Sequence, residues 1–314
     1  MTKDEIEKEV ERLSPWYHAI ALPFGITTQP LWDIRPVWDN IRSARSKIDY
    51  VGKKVLDIAA FDGMWSFEAE DLGAELVIST DCNWIALQHF LMCKQARNSK
   101  AIPFYNVPPH DLYNRLDSYL KGRDCKWAPS CDVGGGDTRF DVVHHLGLFY
   151  HLVDPVQSLL QARSVMREGG SLLFETAYSM SDKNQSHMVF NGRNDDGTYR
   201  IYPDTTTWWA PTLKCIEEIL LACLFKPVFH CEITGDTCGR TCFVAEAIPF
   251  SEKHHGSEIL NSFRTPGYSN RSDLAAANLA IAFDTWRAAD KMLGQQKAYE
   301  GFKYDSEGIL SLLK

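Results

Sequence analysis

From Lys54 onward, short apolar runs alternate with helix-forming stretches, and the first such pair sets the pattern for the rest. Lys54-Val55-Leu56-Asp57-Ile58 reads as a strand that leaves through the turn Ala59-Ala60-Phe61-Asp62-Gly63. It opens into Ser66-Phe67-Glu68-Ala69-Glu70-Asp71-Leu72-Gly73, where Glu and Ala favour helix and Gly73 supplies the stop. Further strands are predicted over Leu76–Thr80, Ile102–Val107, Phe140–Val143 and Ser171–Phe174. One helix is predicted from Trp84 to Arg97. Another starts at Asp154-Pro155, cap and first-turn proline, and carries Val156, Leu159, Leu160, Ala162 and Val165 towards Gly169-Gly170. Two β-rich runs, Lys226–Ile233 and Arg240–Ile248, predict a closing antiparallel hairpin. Strand, tight turn and helix in this order describe an α/β fold with a doubly wound sheet, whose ligands lie beyond the carboxyl ends of the strands.

The flanks read differently. Residues 2–13 form a charged amphipathic helix with Ile6, Val10 and Leu13 on one stripe. From Ser14 to Ile48 the chain is dense in rings (Trp16, Tyr17, His18, Phe24, Trp32, Trp38) and punctuated by Pro15, Pro23, Pro30 and Pro36. Prolines at that frequency predict an ordered loop or lid rather than a long helix. Its rings either wall the ligand pocket, with Trp16, His18 and Trp32 as candidates, or pack a small core of their own. Three regions follow: an aromatic N-terminal cap over residues 1–48, the main domain over 49–250, and a helical extension over 251–314. In the extension, Asp273–Leu293 is Ala-rich and helix-forming; it either packs across the pocket or makes a homodimer contact. Residues 121–139, with Gly134-Gly135-Gly136, read as an inserted flap.

Composition narrows the chemistry. A chain of 314 residues holds one large α/β domain with appendages. No apolar run approaches the roughly 20 residues that span a bilayer. The charged start, Met1-Thr2-Lys3-Asp4-Glu5, lacks a signal-peptide core, so the expectation is a cytoplasmic protein without a membrane partner. Nine cysteines, an odd number without a CxxC pair, read as reduced thiols; Cys238 and Cys242 lack the second ligand pair that a zinc site needs. The net charge of −8, with no Lys/Arg-rich run, argues against a nucleic-acid partner and for a small-molecule one.

The chemistry-bearing residues cluster where the strands end. Asp57 stands in the first strand, and Asp81 ends the second, about 20 residues after the turn, the place of the acid that holds ribose hydroxyls. Cys82 and Asn83 follow it. His144, His145 and His151 lie within eight positions, and histidine suits proton removal near neutral pH. A metal is the rival use for them, but no carboxylate joins them at helix or strand spacing. Glu175, ending the fifth strand, could hold an amine or hydroxyl of a substrate. Arg193 or Arg200 could hold a carboxylate. Tyr202, Trp208 and Trp209 either line an acceptor pocket or serve packing.

The turn that opens with an acid, together with Asp81, resembles the cofactor site of class I S-adenosylmethionine (SAM)-dependent methyltransferases. Phe140-Asp141-Val142-Val143-His144-His145-Leu146-Gly147-Leu148-Phe149-Tyr150-His151-Leu152-Val153-Asp154-Pro155 and Trp16–Thr28 are similar to one branch of that family. That branch contains the tRNA wobble-uridine (5-oxyacetate-forming) methyltransferases and their small-molecule relatives, and the resemblance covers about residues 14–248. It implies a Rossmann-like sheet of seven strands with the last antiparallel, and SAM as cofactor. The residues it points to for the cofactor are Asp57, Ala59, Phe61, Gly63, Asp81, Cys82, Asn83, His144 and, at the adenine edge and face, Asp111 and Leu112. It places Tyr150-His151 and Glu175 at the reacting end, with His151 as the leading base and His145 beside it. Trp208-Trp209-Ala210-Pro211-Thr212 matches the family's entry to the next helix. The family usually has glycine at Ala59, and Rossmann-like turns have it at Phe61, whereas Phe61-Asp62-Gly63 matches the aromatic-Asp-Gly variant of the branch. The function implied is methyl transfer to an O, N or S atom of a small molecule. Two alternatives stand beside it: wobble-uridine modification of tRNA, with SAM or its carboxylated form, and SAM binding without catalysis.

Overall fold

The computed structural model describes residues 1–116, 139–181, 184–202 and 204–249. The extension over 251–314 and all of the 121–139 flap except Arg139 lie outside the described residues.

Helix α1 (Lys3–Arg12) begins with a capping box in which Thr2 and Glu5 exchange backbone–side-chain bonds, and it buries Ile6 completely. The proline-rich segment after it is not all loop. Arg35–Arg45 forms helix α2, because Pro36 sits in its first turn, where a missing N–H costs nothing. Trp38, Ile41 and Ala44, spaced by three, are its buried face.

Strand β1 (Lys54–Ile58) leads through the turn to α3 (Met64–Asp71); β2 (Leu76–Asp81), α4 (Trp84–Arg97), β3 (Ile102–Tyr105) and the single turn α5 (Leu112–Arg115) follow. Then come β4 (Phe140–Leu146), a 3-10 turn at Phe149–His151, α6 (Pro155–Ser164), β5 (Met166–Ser179), and the short strands β6 (Met188–Phe190) and β7 (Trp209–Pro211). Helix α7 (Leu213–Ala222) precedes the hairpin of β8 (Phe225–Ile233) and β9 (Cys238–Ala247). Strand β5 starts earlier than its apolar run suggests; Gly169, at φ +72°, lies within it where its register with β4 shifts.

The seven-stranded sheet has the order β3-β2-β1-β4-β5-β9-β8. Neighbours from β3 to β5 are parallel, and β9 alone runs against the rest. Strands β6 and β7 pair separately. Alternation along the strands supplies two cores. Val55, Val77, Val142, Leu173 and Val244 pack towards α1–α4, whereas Leu56, Ile78, Val143, Leu172 and Phe174 pack towards α6 and α7.

Candidate active site

The turn after β1 is closely packed. Gly63 sits at φ +89°, and a Cβ there would lie 2.4 Å from the Phe90 ring. Ala59 (φ +55°) and Phe61 (φ +50°) take the left-handed conformation without being glycine, a strain of order 1–2 kcal/mol each. Asp81 holds this turn. Its Oδ2 accepts the Phe61 N–H at 2.8 Å, and Oδ1 accepts those of Cys82 at 2.6 Å and Asn83 at 2.7 Å. Burial raises the Asp81 carboxyl to about 6, against the pull of these amides. A carboxylate offers about four acceptor positions, so one remains for a hydroxyl. Burial also pushes the Cys82 thiol up to about 12, and the Asn83 side chain caps α4.

Asp57 lies beneath the turn. Its Oδ2 accepts from Ser66 Oγ at 2.5 Å, and Ser66 meets Ser79 Oγ at 2.8 Å. His144 stands beside it in register, with Nδ1 3.7 Å from Asp57 Oδ1 and Nε2 2.7 Å from the Tyr50 hydroxyl. His145, the next residue, points to the opposite face, where Nε2 meets Ser158 Oγ at 2.8 Å and burial lowers its pKa to about 4. Neither histidine is exposed. Leu112 is buried in the core, and the Asp111 carboxylate is bound by Asn114 Nδ2 and Arg115 Nε.

Beyond β4 and β5 lies a second constellation. Glu175, on β5, forms a two-pronged ion pair with Arg240 on β9: Nε to Oε1 at 2.7 Å and Nη2 to Oε2 at 2.8 Å. Glu175 Oε2 also accepts the Gly147 N–H at 3.0 Å, and Arg240 Nη1 donates to the Tyr202 hydroxyl at 3.1 Å. The guanidinium stacks 4.7 Å over the Tyr150 ring and 5.8 Å from that of Tyr202. Burial disfavours the Arg240 charge, but Glu175, together with Tyr150 and Tyr202, more than offsets this. Burial likewise drives the Tyr150 phenol well above its ordinary range and Tyr17 up to about 12. The Tyr17 ring lies 5.2 Å from that of Phe61 in the turn and 4.7 Å from that of His18.

His18, next to Tyr17, is latched to the turn by Asp62. Asp62 Oδ1 lies 2.5 Å from His18 Nδ1, and Oδ2 accepts the His18 backbone N–H at 3.1 Å. Both side chains are buried. Thr28 fixes the strand-like segment around it, donating to His18 O and accepting from Ile20 N.

The remaining expected residues spread out. His151 reaches Thr206 through Nδ1, 3.1 Å from the carbonyl and 3.0 Å from the hydroxyl, and burial lowers its pKa. Trp16 is a core residue whose ring N–H donates to Val10 O and whose ring edge meets His89. Trp32 stands at the surface, 6.3 Å from Tyr17. Trp208 and Trp209 cluster on Phe190, and the Arg200 side chain is exposed. Tyr17, Asp62 and Arg240 were not singled out as site residues from the sequence; an arginine shortly before the apolar run Cys242–Ala245 of β9 was the available signal for the last.

The strand order and the turn-plus-acid arrangement at β1 and β2 define a class I, Rossmann-like methyltransferase fold. No family model matches the chain. The chain is similar to tRNA U34 carboxymethyltransferases. That of Pseudomonas putida (strain W619) is 26% identical over 227 residues, 72% of this chain and 61% of the relative. That of Pseudomonas fluorescens (strain Pf0-1) is 26% identical over 242 residues, 75% and 64% respectively. The chain thus spans roughly three fifths of these curated relatives' length. Among solved structures, the N-terminal domain of EvdMO1 with SAH bound aligns with a TM-score of 0.54 and 15% identity, over 79% of this chain and 98% of that one. Among the described residues no helix is long and apolar enough to cross a membrane, and no group of three or more His, Cys, Asp or Glu could hold a metal ion.

Proposed function

We propose that the chain transfers a methyl group from SAM to a heteroatom of a small-molecule acceptor. The donor set suits the adenosyl part: a buried acid at the end of β2 with one acceptor position left, beside a turn held open in left-handed conformations. Asp81 would take a ribose hydroxyl, and the turn from Ala59 to Gly63 would run along the methionine part. When bound, SAM supplies a methyl carbon already activated by a sulfonium, which departs as neutral S-adenosylhomocysteine. The protein's share is then alignment and exclusion of water, and the buried tyrosine floor around Arg240 suits both.

The observation that carries methyl over carboxymethyl transfer is the Glu175–Arg240 pair. A carboxymethyl donor brings an extra carboxylate next to the reacting carbon, and a cation must meet it. Arg240 is a largely buried cation at this end of the sheet, and its Nε and Nη2 are already matched by Glu175. The net charge of −8 supports a small acceptor over tRNA. Calorimetric titration with S-adenosylhomocysteine tests the reading: micromolar binding that Asp81→Ala abolishes is expected. No heat, or binding indifferent to Asp81, would overturn it. Salt-sensitive tRNA binding would return the acceptor to the wobble uridine, the reading that the curated relatives favour.

A further inference from the structure

The methyl-transfer reading leaves the acceptor's proton without a destination, and the described histidines differ sharply in their fitness to receive it. His144 is sealed between Tyr50 and Asp57, and His145 is turned under α6 against Ser158. His89 meets carbonyl oxygens with both ring nitrogens. His151 has Nδ1 on the carbonyl and hydroxyl of Thr206 and no carboxylate hydrogen-bonded to its ring; burial disfavours its charge, while Asp204 favours it and Arg240 opposes it. His18 alone among these rings combines a carboxylate on Nδ1 with an Nε2 that makes no hydrogen bond among the described residues. The Asp62 contact fixes the proton on Nδ1 and leaves the Nε2 lone pair available, the arrangement by which a buried acid orients a histidine and steadies its imidazolium. Position agrees with this. Asp62 belongs to the turn that would run along the methionine part, and the Tyr17 ring, edge-on to His18 at 4.7 Å, lies 5.2 Å from the Phe61 ring of the same turn.

We propose that His18, backed by Asp62, receives the proton of the acceptor, and hence that the acceptor presents an oxygen or nitrogen bearing a removable proton rather than a thioether. This rests on the methyl-transfer reading above. The electron pair of the O–H or N–H bond stays on the heteroatom as it bonds to the methyl carbon. The proton passes to Nε2, and the imidazolium is held by Asp62 until water removes it.

The test needs no acceptor. Sinefungin carries an ammonium group where SAM carries its methylsulfonium, so its N–H bonds point to where the acceptor would stand. Affinities for sinefungin and S-adenosylhomocysteine are to be measured by calorimetry on the full chain, His18→Gln, Asp62→Asn and His151→Gln. A hydrogen bond to a charged group amounts to about tenfold in affinity. The expected result in the first two variants is a roughly tenfold fall in the affinity for sinefungin relative to that for S-adenosylhomocysteine measured on the same variant. Should either variant fail to fold, histidine 15N shifts of the wild type decide: sinefungin, but not S-adenosylhomocysteine, moves His18 Nε2 away from its free-lone-pair position. An unmoved His18 with both ligands bound, or loss of the sinefungin preference in His151→Gln instead, overturns the dyad. Failure of the wild type to bind S-adenosylhomocysteine removes the methyl-transfer reading, and the dyad falls with it.

Discussion

Glu175→Gln is the substitution for which the structure permits the firmest magnitude. The Glu175 side chain is 1% exposed and that of Arg240 14%, so the pair is scarcely screened by water. Glutamine keeps the shape but not the charge. One of its two terminal atoms becomes an N–H donor facing either the guanidinium or the Gly147 amide, both of which are donors themselves. The variant therefore leaves Arg240 buried without a counter-ion, a loss of about 3–5 kcal/mol where such pairs are broken one-sidedly. For a domain of this size that corresponds to a fall in Tm of about 6–20 °C. Urea unfolding should show the same loss as a lower midpoint with unchanged slope. The double variant Glu175→Gln/Arg240→Met removes the orphaned charge and should recover most of the loss, since an apolar replacement of a buried pair is often neutral. A single-variant cost below about 1 kcal/mol would refute the reasoning. So would a double variant less stable than the single one, because the pair would then not act as a unit.

Further outcomes follow from the turn and the buried polar chain. Ala59→Gly relaxes a residue held at φ +55° and removes a methyl from the proposed cofactor path; S-adenosylhomocysteine should bind several-fold more tightly, and equal or weaker binding would count against that path. Because burial lifts Asp81 from 3.8 to about 6, the folded chain holds this proton more firmly than the unfolded chain; the resulting stabilisation is complete below about pH 3.8 and lost as the pH rises through about 6. His145, lowered from 6.5 to about 4, works the other way, its stabilisation lost as the pH falls through about 4, so the Asp81 contribution is to be read as a difference. From pH 7.5 to pH 5 the wild type should gain on Asp81→Asn by at most about 1.4 kcal/mol per unit, and parallel melting profiles would contradict this. Tyr50→Phe strands His144 Nε2 in the core and should cost about 1–3 kcal/mol without changing cofactor affinity.

The repetitive parts of the fold were legible because they are local. Capped and stopped helices, apolar runs and the acid closing β2 each declare themselves within a dozen residues. Helix α2 was misread because proline density was taken as loop, although Pro36 occupies the one helical position that suits it. The adjacent His144 and His145 were grouped, yet the two-residue period of a strand sends neighbours to opposite faces. What no local pattern reveals is pairing at a distance: His18 meets Asp62 44 residues away, and Glu175 meets Arg240 across 65. Those contacts exist because β9 docks between β5 and β8 and because the aromatic segment folds back over the turn.

The reversed direction of β9 has a consequence for how the domain comes into being on the ribosome. In a parallel strand the residues at the ligand end are the last to be made; in β9 they are the first, so Arg240 arrives beside Glu175 at the hairpin's return. A growing chain nevertheless carries Glu175, destined for burial, for 65 positions before its counter-ion is synthesised. Closing early would bury that carboxylate alone. The cost of doing so discourages an amino-terminal fragment from settling into a compact imitation of the finished domain before β9 arrives.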